Sequence, residues 1–410
     1  MGRTLSALYF VLVAMLTVLV GWWNIAVHSA NLPGSDAERE QVKALLRDLG
    51  PGIHDAVPGR MQSLFPEGAA FSYALYGLVN CNVAAWAEET ERSHLYSEAL
   101  FAAEQMKSEQ VRGGFPALLP PGHGIFHAGW SALLNGRMLE TFEEASSDPR
   151  AIAYFEEQCD TIAATFRRAP TAFPESYNDM AWPADGAVAM AALALHDRIL
   201  GPRYEGEVDR WVFRVGATLT VDGGISHAWD PVHDRAQRSM RGSSMALMCV
   251  ALAGVDSSFA HEQFTVFGQR FFAERMGVPM ITEYPSGLSG AGDVDSGPLI
   301  LGAGPVAMIV GAGACRVHGD AFHEHEMNSV IDAFGFPLGQ EERRYLFGAM
   351  PIADLFIAWC RSMPTKVPYE ATPPRFLRFH AWSALLLLLL WTPWVIGRIR
   401  SRTRSTALGQ

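Results

Sequence analysis

The chain has 410 residues, 49% of them apolar and 18% charged, with a net charge of −11 from 32 basic and 43 acidic side chains. That length supports a sizeable core, and the composition excludes a disordered chain. The acidic balance excludes a nucleic-acid partner, which needs a basic face. Five scattered cysteines, Cys81, Cys159, Cys249, Cys315 and Cys360, form no CxxC and exclude a disulfide scaffold or a zinc cluster; buried apolar thiols are expected.

In chain order, the first element is an apolar run from Leu5 to Val20, closed by Trp22 and Trp23. With this aromatic pair it approaches the roughly 20 residues that span a bilayer, so residues 1–28 read as a membrane anchor, a cleaved signal peptide being the alternative. Residues 32–68 follow as a leading helix (Asp36 to Leu49) and a Pro/Gly-rich connection. Helical periodicity then recurs over 69–88, 93–107, 124–141, 151–168, 185–200, 204–216, 242–253, 258–275, 297–318, 320–334 and 350–361. Ser93, Asp148-Pro149 and Asp256-Ser257 stand as helix starts. Strand signals are few. About a dozen helices joined in pairs over 69–365 predict an all-α domain, an (α/α)6 toroid of inner and outer rings. A second apolar segment, 380–397, contains six leucines from Leu385 to Leu390, flanked by Trp382, Trp391 and Trp394. A basic tail, 398–410, carries Arg398, Arg400, Arg402 and Arg404. Positive flanks stay cytoplasmic, so both termini are expected inside and the domain outside, periplasmic in a Gram-negative host.

A toroid places its site where the loops before the inner helices open. The loops 113–124, 170–185, 221–241 and 281–297 are the most polar and aromatic, and they are expected to share one cleft. One runs from Glu175-Ser176-Tyr177 through Trp182 to Asp185, at the start of an Ala-rich helix. Asp185 is either a helix cap or a catalytic carboxylate beside Ser176, Tyr177 and Trp182. A second holds Glu283, Tyr284, Asp293 and Asp295; paired carboxylates split their pKa values into an acid and a base, the alternative being capping and turn contacts. A third contains His227 and Trp229, followed by Arg241. His227 is a candidate acid, base or hydrogen-bond donor, and Arg241 a candidate partner for a carboxylate. A fourth, Gly124-Ile-Phe-His127-Ala-Gly-Trp130, offers a pocket wall or plain core.

His323-Glu324-His325-Glu326 puts its histidines on different helix faces and reads as an exposed helix start, so no metal is expected. Gly302-Ala303-Gly304 and Gly311-Ala312-Gly313 lie in a helical run with no preceding strand, which points to close helix packing rather than a phosphate loop. With no HExxH, no Gly-x-Ser-x-Gly and no Walker loop, what remains is cofactor-free acid/base chemistry.

The order of several segments resembles the linalool dehydratase/isomerase family, from about residue 65 to 360. These segments are Gly124 to Trp130 with Leu133 to Leu139, Asp185 through Leu195 to Gly201, Gly254 to Phe259, and Asp293-Val294-Asp295 leading to Gly319-Asp320. The resemblance implies an (α/α)6 toroid and a cofactor-free lyase or isomerase acting on an alcohol. The family's histidine position holds Trp130 here, and Ser176 and Asp185 stand in place of its cysteines.

Three functions follow. The first is a membrane-anchored lyase or isomerase, with Asp185 as acid or base, Asp293 or Asp295 as counterpart and His227 in support. The second is a glycoside hydrolase or related enzyme, with paired aspartates and stacking by Tyr177, Trp182, Trp229 and Tyr284. The third is a non-catalytic extracytoplasmic binding protein. The expected partners are an alcohol or glycan and the lipid bilayer, with the oligomeric state left open.

Overall fold

The structure, a computed structural model, describes residues 3–294, 296–365 and 376–407. Asp295, one of the candidate carboxylates, lies outside the described residues, as do the last three residues of the basic tail.

Six helices are buried over most of their circumference. They are α4 (Gly68–Ala84), α7 (Gly124–Thr141), α10 (Pro183–Leu200), α12 (Gly242–Leu252), α14 (Pro305–His318) and α16 (Pro351–Ser362), and small residues such as Ala, Gly and Ser recur on them. A helix apolar on most sides must be covered on most sides. Each packs on the next in chain order, and α16 packs back on α4, which closes a ring. Six helices with a narrower apolar stripe cover it: α2 (Asp36–Ile53), α5 (Glu89–Gln105), α9 (Pro149–Arg168), α11 (Glu205–Gly216), α13 (Ser257–Phe271) and α15 (Ala321–Phe334). The expected (α/α)6 toroid is thus the observed architecture. Short helices α3 (Val57–Gln62), α6 (Glu109–Arg112) and α8 (Glu143–Ser146) fill the connections.

Because inner and outer helices alternate in direction, the amino-terminal ends of all six inner helices lie at one end of the ring. The bore is blocked near that end by rings from three inner helices. Trp130 makes edge contacts with Phe71 at 5.3 Å and with Trp359 at 5.7 Å, and Phe71 touches Phe126 and Phe356. Beyond this plug, toward the carboxyl-terminal end, an apolar cavity of about 200 Å³ is lined by Leu78, Leu133, Val188, Leu247 and Val250.

Several sequence expectations change. Two hairpins appear, β1 (Ala228–Asp230) with β2 (Arg235–Arg238) and β3 (Phe272–Arg275) with β4 (Val278–Ile281). The second converts the expected end of the 258–275 helix into strand. The expected 297–318 helix begins only at Pro305, because Gly297, Leu301 and Gly302 all take positive φ. Gly302-Ala303-Gly304 is therefore loop, whereas Gly311 and Gly313 do serve helix packing: a Cβ on Gly313 would meet the Cys360 sulfur at 2.7 Å. The helix expected from Ser93 starts at Glu89 with a capping box between Glu88 and Glu91. Asp148-Pro149 and Asp256 cap as expected, and all five cysteines are buried thiols. The His323–Glu326 segment starts a helix, but not an exposed one: Glu324 and His325 are buried, Glu324 against Arg316.

Two further helices, α1 (Arg3–Ala26) and α17 (Leu377–Ala407), are long and apolar enough to cross a membrane. They run antiparallel: Tyr9 donates to the Leu390 carbonyl, Trp391 to Thr17, and His380 shares a hydrogen bond with Asn24. The start of α1 and the end of α17 therefore lie at the same end of this pair.

Candidate functional site

The loops before the inner helices are joined into one floor by main-chain hydrogen bonds. Ile125 N–H donates to Glu175, Trp229 to Ala181, Gly242 to Glu283 and Glu283 to Gly302. Two glycines make the approach feasible. A Cβ on Gly124, whose φ is +79°, would meet the Ser176 carbonyl oxygen at 2.4 Å; one on Gly242 would meet that of Thr282 at 2.1 Å. Four loops expected to face one cleft are in this way neighbours, and Tyr177 extends the floor to the start of α4 by donating to Glu67 at 2.6 Å.

Asp185 sits in the first turn of α10, two residues after Pro183 at the first helical position, where the helix dipole favours a carboxylate. It is buried, and the Ser176 hydroxyl donates to it at 2.5 Å. On the adjacent helix start, His227 and Ser244 share a hydrogen bond at 2.5 Å. Burial, reinforced by the nearby Arg241 and Arg238, pushes the His227 imidazole down to about 4, so it is neutral near pH 7.

Arg241 organises the remaining carboxylates. Its Nε donates to Glu283 at 2.7 Å, and both terminal nitrogens reach Asp293, a fork-on-fork pair. Glu283 has no exposed surface and also accepts from the Ser243 hydroxyl at 2.7 Å and the Ser243 amide at 3.2 Å. Its burial raises the carboxyl above the usual range, against the pull of Ser243 and Arg241. Asp293 is about a third exposed. Burial would raise it, but the Arg241 fork outweighs that and holds it at about 2. Asp293 is thus a fixed anion. Tyr284 lies under the guanidinium, 5.6 Å from it.

The other predicted residues divide by position. Tyr177, Trp182 and Tyr284 are half-open on the floor, with Tyr177 edge-on to Trp182 at 5.9 Å. Trp229 is buried against Phe173 and donates to Asp234, so it supports the floor from behind. His127 points away from the bore, sharing a hydrogen bond with the Met106 carbonyl at 2.9 Å; burial pushes it down to about 4. Trp130 belongs to the plug, and its indole N–H is buried with no partner among the described residues.

Sequence reasoning singled out the stretch Arg241-Gly242-Ser243-Ser244 but gave the two serines no role, and it missed Glu67. The serines open α12, and their placement after Arg241 was the available signal. Among the described residues no group of three His, Cys, Asp or Glu side chains is placed to hold a metal ion.

No family model matches the chain, and no curated protein matches its sequence. Among solved structures, the chain is similar to a family 105 glycoside hydrolase of C. acetobutylicum ATCC 824: 13% identical, 70% of this chain and 93% of that one covered, TM-score 0.47. It is also similar to a D-mannose isomerase, at 9% identity, with coverage of 63% and 74% and a TM-score of 0.42. At these values function is read from the chain's own residues.

Proposed function

We propose that the toroid is a carbohydrate-active enzyme working by proton transfer, with Asp185 as the acid or base and neutral His227 in support. One observation carries this reading. The hydrogen-bonded pairs Ser176–Asp185 and His227–Ser244 and the Arg241–Glu283–Asp293 cluster occupy neighbouring starts of α10, α12 and α14, beside the half-open rings of Tyr177, Trp182 and Tyr284. Such a floor is polar, charged and edged by aromatic faces, which suits a polyhydroxylated substrate. A lipophilic alcohol would call for a deep apolar pocket, and the mostly apolar cavity, whose lining also includes Asn82, Arg137 and Arg198, lies beyond the aromatic plug. The acid/base roles, the substrate class and an extracytoplasmic domain on two membrane helices all belong to this proposal.

A second reading keeps the chemistry of the linalool dehydratase/isomerase family, water loss or a proton shift on an alcohol. It is favoured by the Arg241 fork. Hydrolysis of a glycoside calls for two carboxyl groups in separate roles, and Asp293 is clamped as a permanent anion.

Full-length protein incubated with glycan and isoprenoid-alcohol panels separates the two by product. Asp185→Asn is expected to lower the turnover by about 10²–10⁴-fold, the usual worth of a general acid or base. Turnover unchanged by that substitution would sink the Asp185 assignment in both readings.

A further inference from the structure

The membrane helices meet the toroid at a defined level. Trp23 of α1 stacks on Phe334, the last residue of α15, at 5.0 Å. A few residues later, Asn31 lies beside His325, near the other end of α15. So the chain leaving α1 runs back along α15, and residues 4–20 of α1 project beyond the end where α15 finishes. Outer helices finish where inner helices begin, which is the end bearing the floor. The helix α17 does the same: Phe379 contacts Phe334, and the helix continues outward beside α1.

On the α1 side no spacer separates the apolar span from the domain. Val20 ends the run, and Trp23 already touches the ring, about 4.5 Å further along the helix at 1.5 Å per residue. Trp22 and Trp382 are both exposed at this level, where aromatic residues favour the membrane–water interface.

The rim around the floor is apolar in the same sector. Leu338, Leu346, Phe347 and Met350 in the loop before α16, and Ile300 and Leu301 in the loop before α14, are all exposed, Ile300 and Phe347 by about 70%. Phe347 is continuous with the anchor, because Trp23 contacts Phe336 and Phe336 stacks on Phe347 at 6.2 Å. Leu301, Phe336, Leu346 and Phe347 also hold positive φ, an unfavourable backbone for bulky side chains.

We infer that the end of the toroid bearing the Asp185–Arg241 floor rests on the bilayer surface, with the Ile300–Leu301 and Leu346–Phe347 loops dipping into the headgroup region. The floor then receives substrates presented by the membrane, hydroxylated or glycosylated headgroups on a lipid tail. This rests on the membrane-anchored reading above and adds an orientation to it. The apolar loops supply non-polar area for the interface, and the antiparallel helix pair fixes the ring axis near the membrane normal.

The five native cysteines are buried, so an introduced thiol can be labelled selectively. Full-length Phe347→Cys and Leu301→Cys, with Leu200→Cys and Phe322→Cys from the opposite rim, would be labelled with a fluorophore and reconstituted in phosphatidylcholine nanodiscs. Brominated acyl chains should quench the first pair several-fold more than the second, and aqueous iodide should show the reverse order. Equal iodide access at all four positions would overturn the orientation. This readout needs no substrate, so it stands or falls separately from the effect of Asp185→Asn on turnover.

Discussion

Two buried arginine networks in this molecule look alike and do different things. At the seam where the ring closes, Arg316 of α14 binds Glu38 of α2 and Glu324 of α15, each at 2.6 Å, and donates to the backbone carbonyls of Arg361 and Met363. Arg361 of α16 binds Asp332 at 2.9 Å and shares Tyr345 with Gln41. Every charged member is 3% exposed or less, and the donors are aimed at helices far apart in sequence. This is a clasp. On the floor, Arg241 also holds two carboxylates, but Asp293 keeps an open side, and its neighbours are loops rather than helices. A saturated, enclosed network specifies which helices meet; a network with one face left to solvent positions a charge where something else can reach it.

That contrast can be broken by substitution. Arg316→Ala would leave Glu38 and Glu324 buried without their cation, and a loss of about 3–5 kcal/mol in chemical unfolding is expected. Arg241→Ala strands one enclosed carboxylate, with Ser243 still donating to it, and should cost less, about 1–3 kcal/mol. An equal or inverted order would show that the floor network is as structural as the clasp. The Arg241 variant should also lose activity in excess of its stability loss.

A titration sharpens the same comparison, because the two regions should respond to pH in opposite senses. Burial pushes His227 and His127 down to about 4, so each favours folding fully above pH 6.5, and this contribution is lost as the pH falls from 6.5 through 4. The loss amounts to about 3 kcal/mol for each ring at 1.36 kcal/mol per pH unit. In the clasp, one guanidinium serves two glutamates. Burial pushes Glu324 up to about 7, despite Arg316, so its contribution is present below pH 4.5 and fades as the pH rises through 7. Stability measured against pH should steepen below 6.5 in the wild type and lose about half of that steepening in His227→Gln, His127 supplying the rest. An unchanged acid limb in that variant would mean that His227 does not titrate with folding. The smallest effect expected is from Ser176→Ala. Losing one hydrogen bond to Asp185 should cost about 1–2 kcal/mol in the transition state, roughly tenfold in turnover, with a shifted pH profile as the sign that Ser176 acts through Asp185.

Much of the ring was legible from periodicity, and five of the six outer helices start on a side-chain cap or capping box, whereas no inner helix does. The start of α14 was not, because residues 297–304 are as apolar as the helix that follows and only their positive φ values separate the two. The hairpins escaped for a related reason: Phe272–Ile281 is too short for alternation to stand out against the end of a helix. Asp185, His227, Arg241, Glu283 and Asp293 stood out as candidates because each stands in a Gly- or aromatic-rich loop before a helix. The clasp was invisible. Arg316 and Arg361 sit in the last turns of apolar helices, where a cation ordinarily answers the helix dipole, and nothing local shows that Glu38, 278 residues away, is the partner.

The antiparallel pairing of α1 and α17 has a consequence for how the ring forms. A toroid closes only when its first and last helices meet, and bringing together chain segments as far apart as Asn24 and His380, 356 residues, costs on the order of 5 kcal/mol in loop-closure entropy. Once the two apolar helices lie side by side, that cost has already been met outside the domain. The ends of the ring are then delivered to each other at short range, and the clasp has only to choose the register.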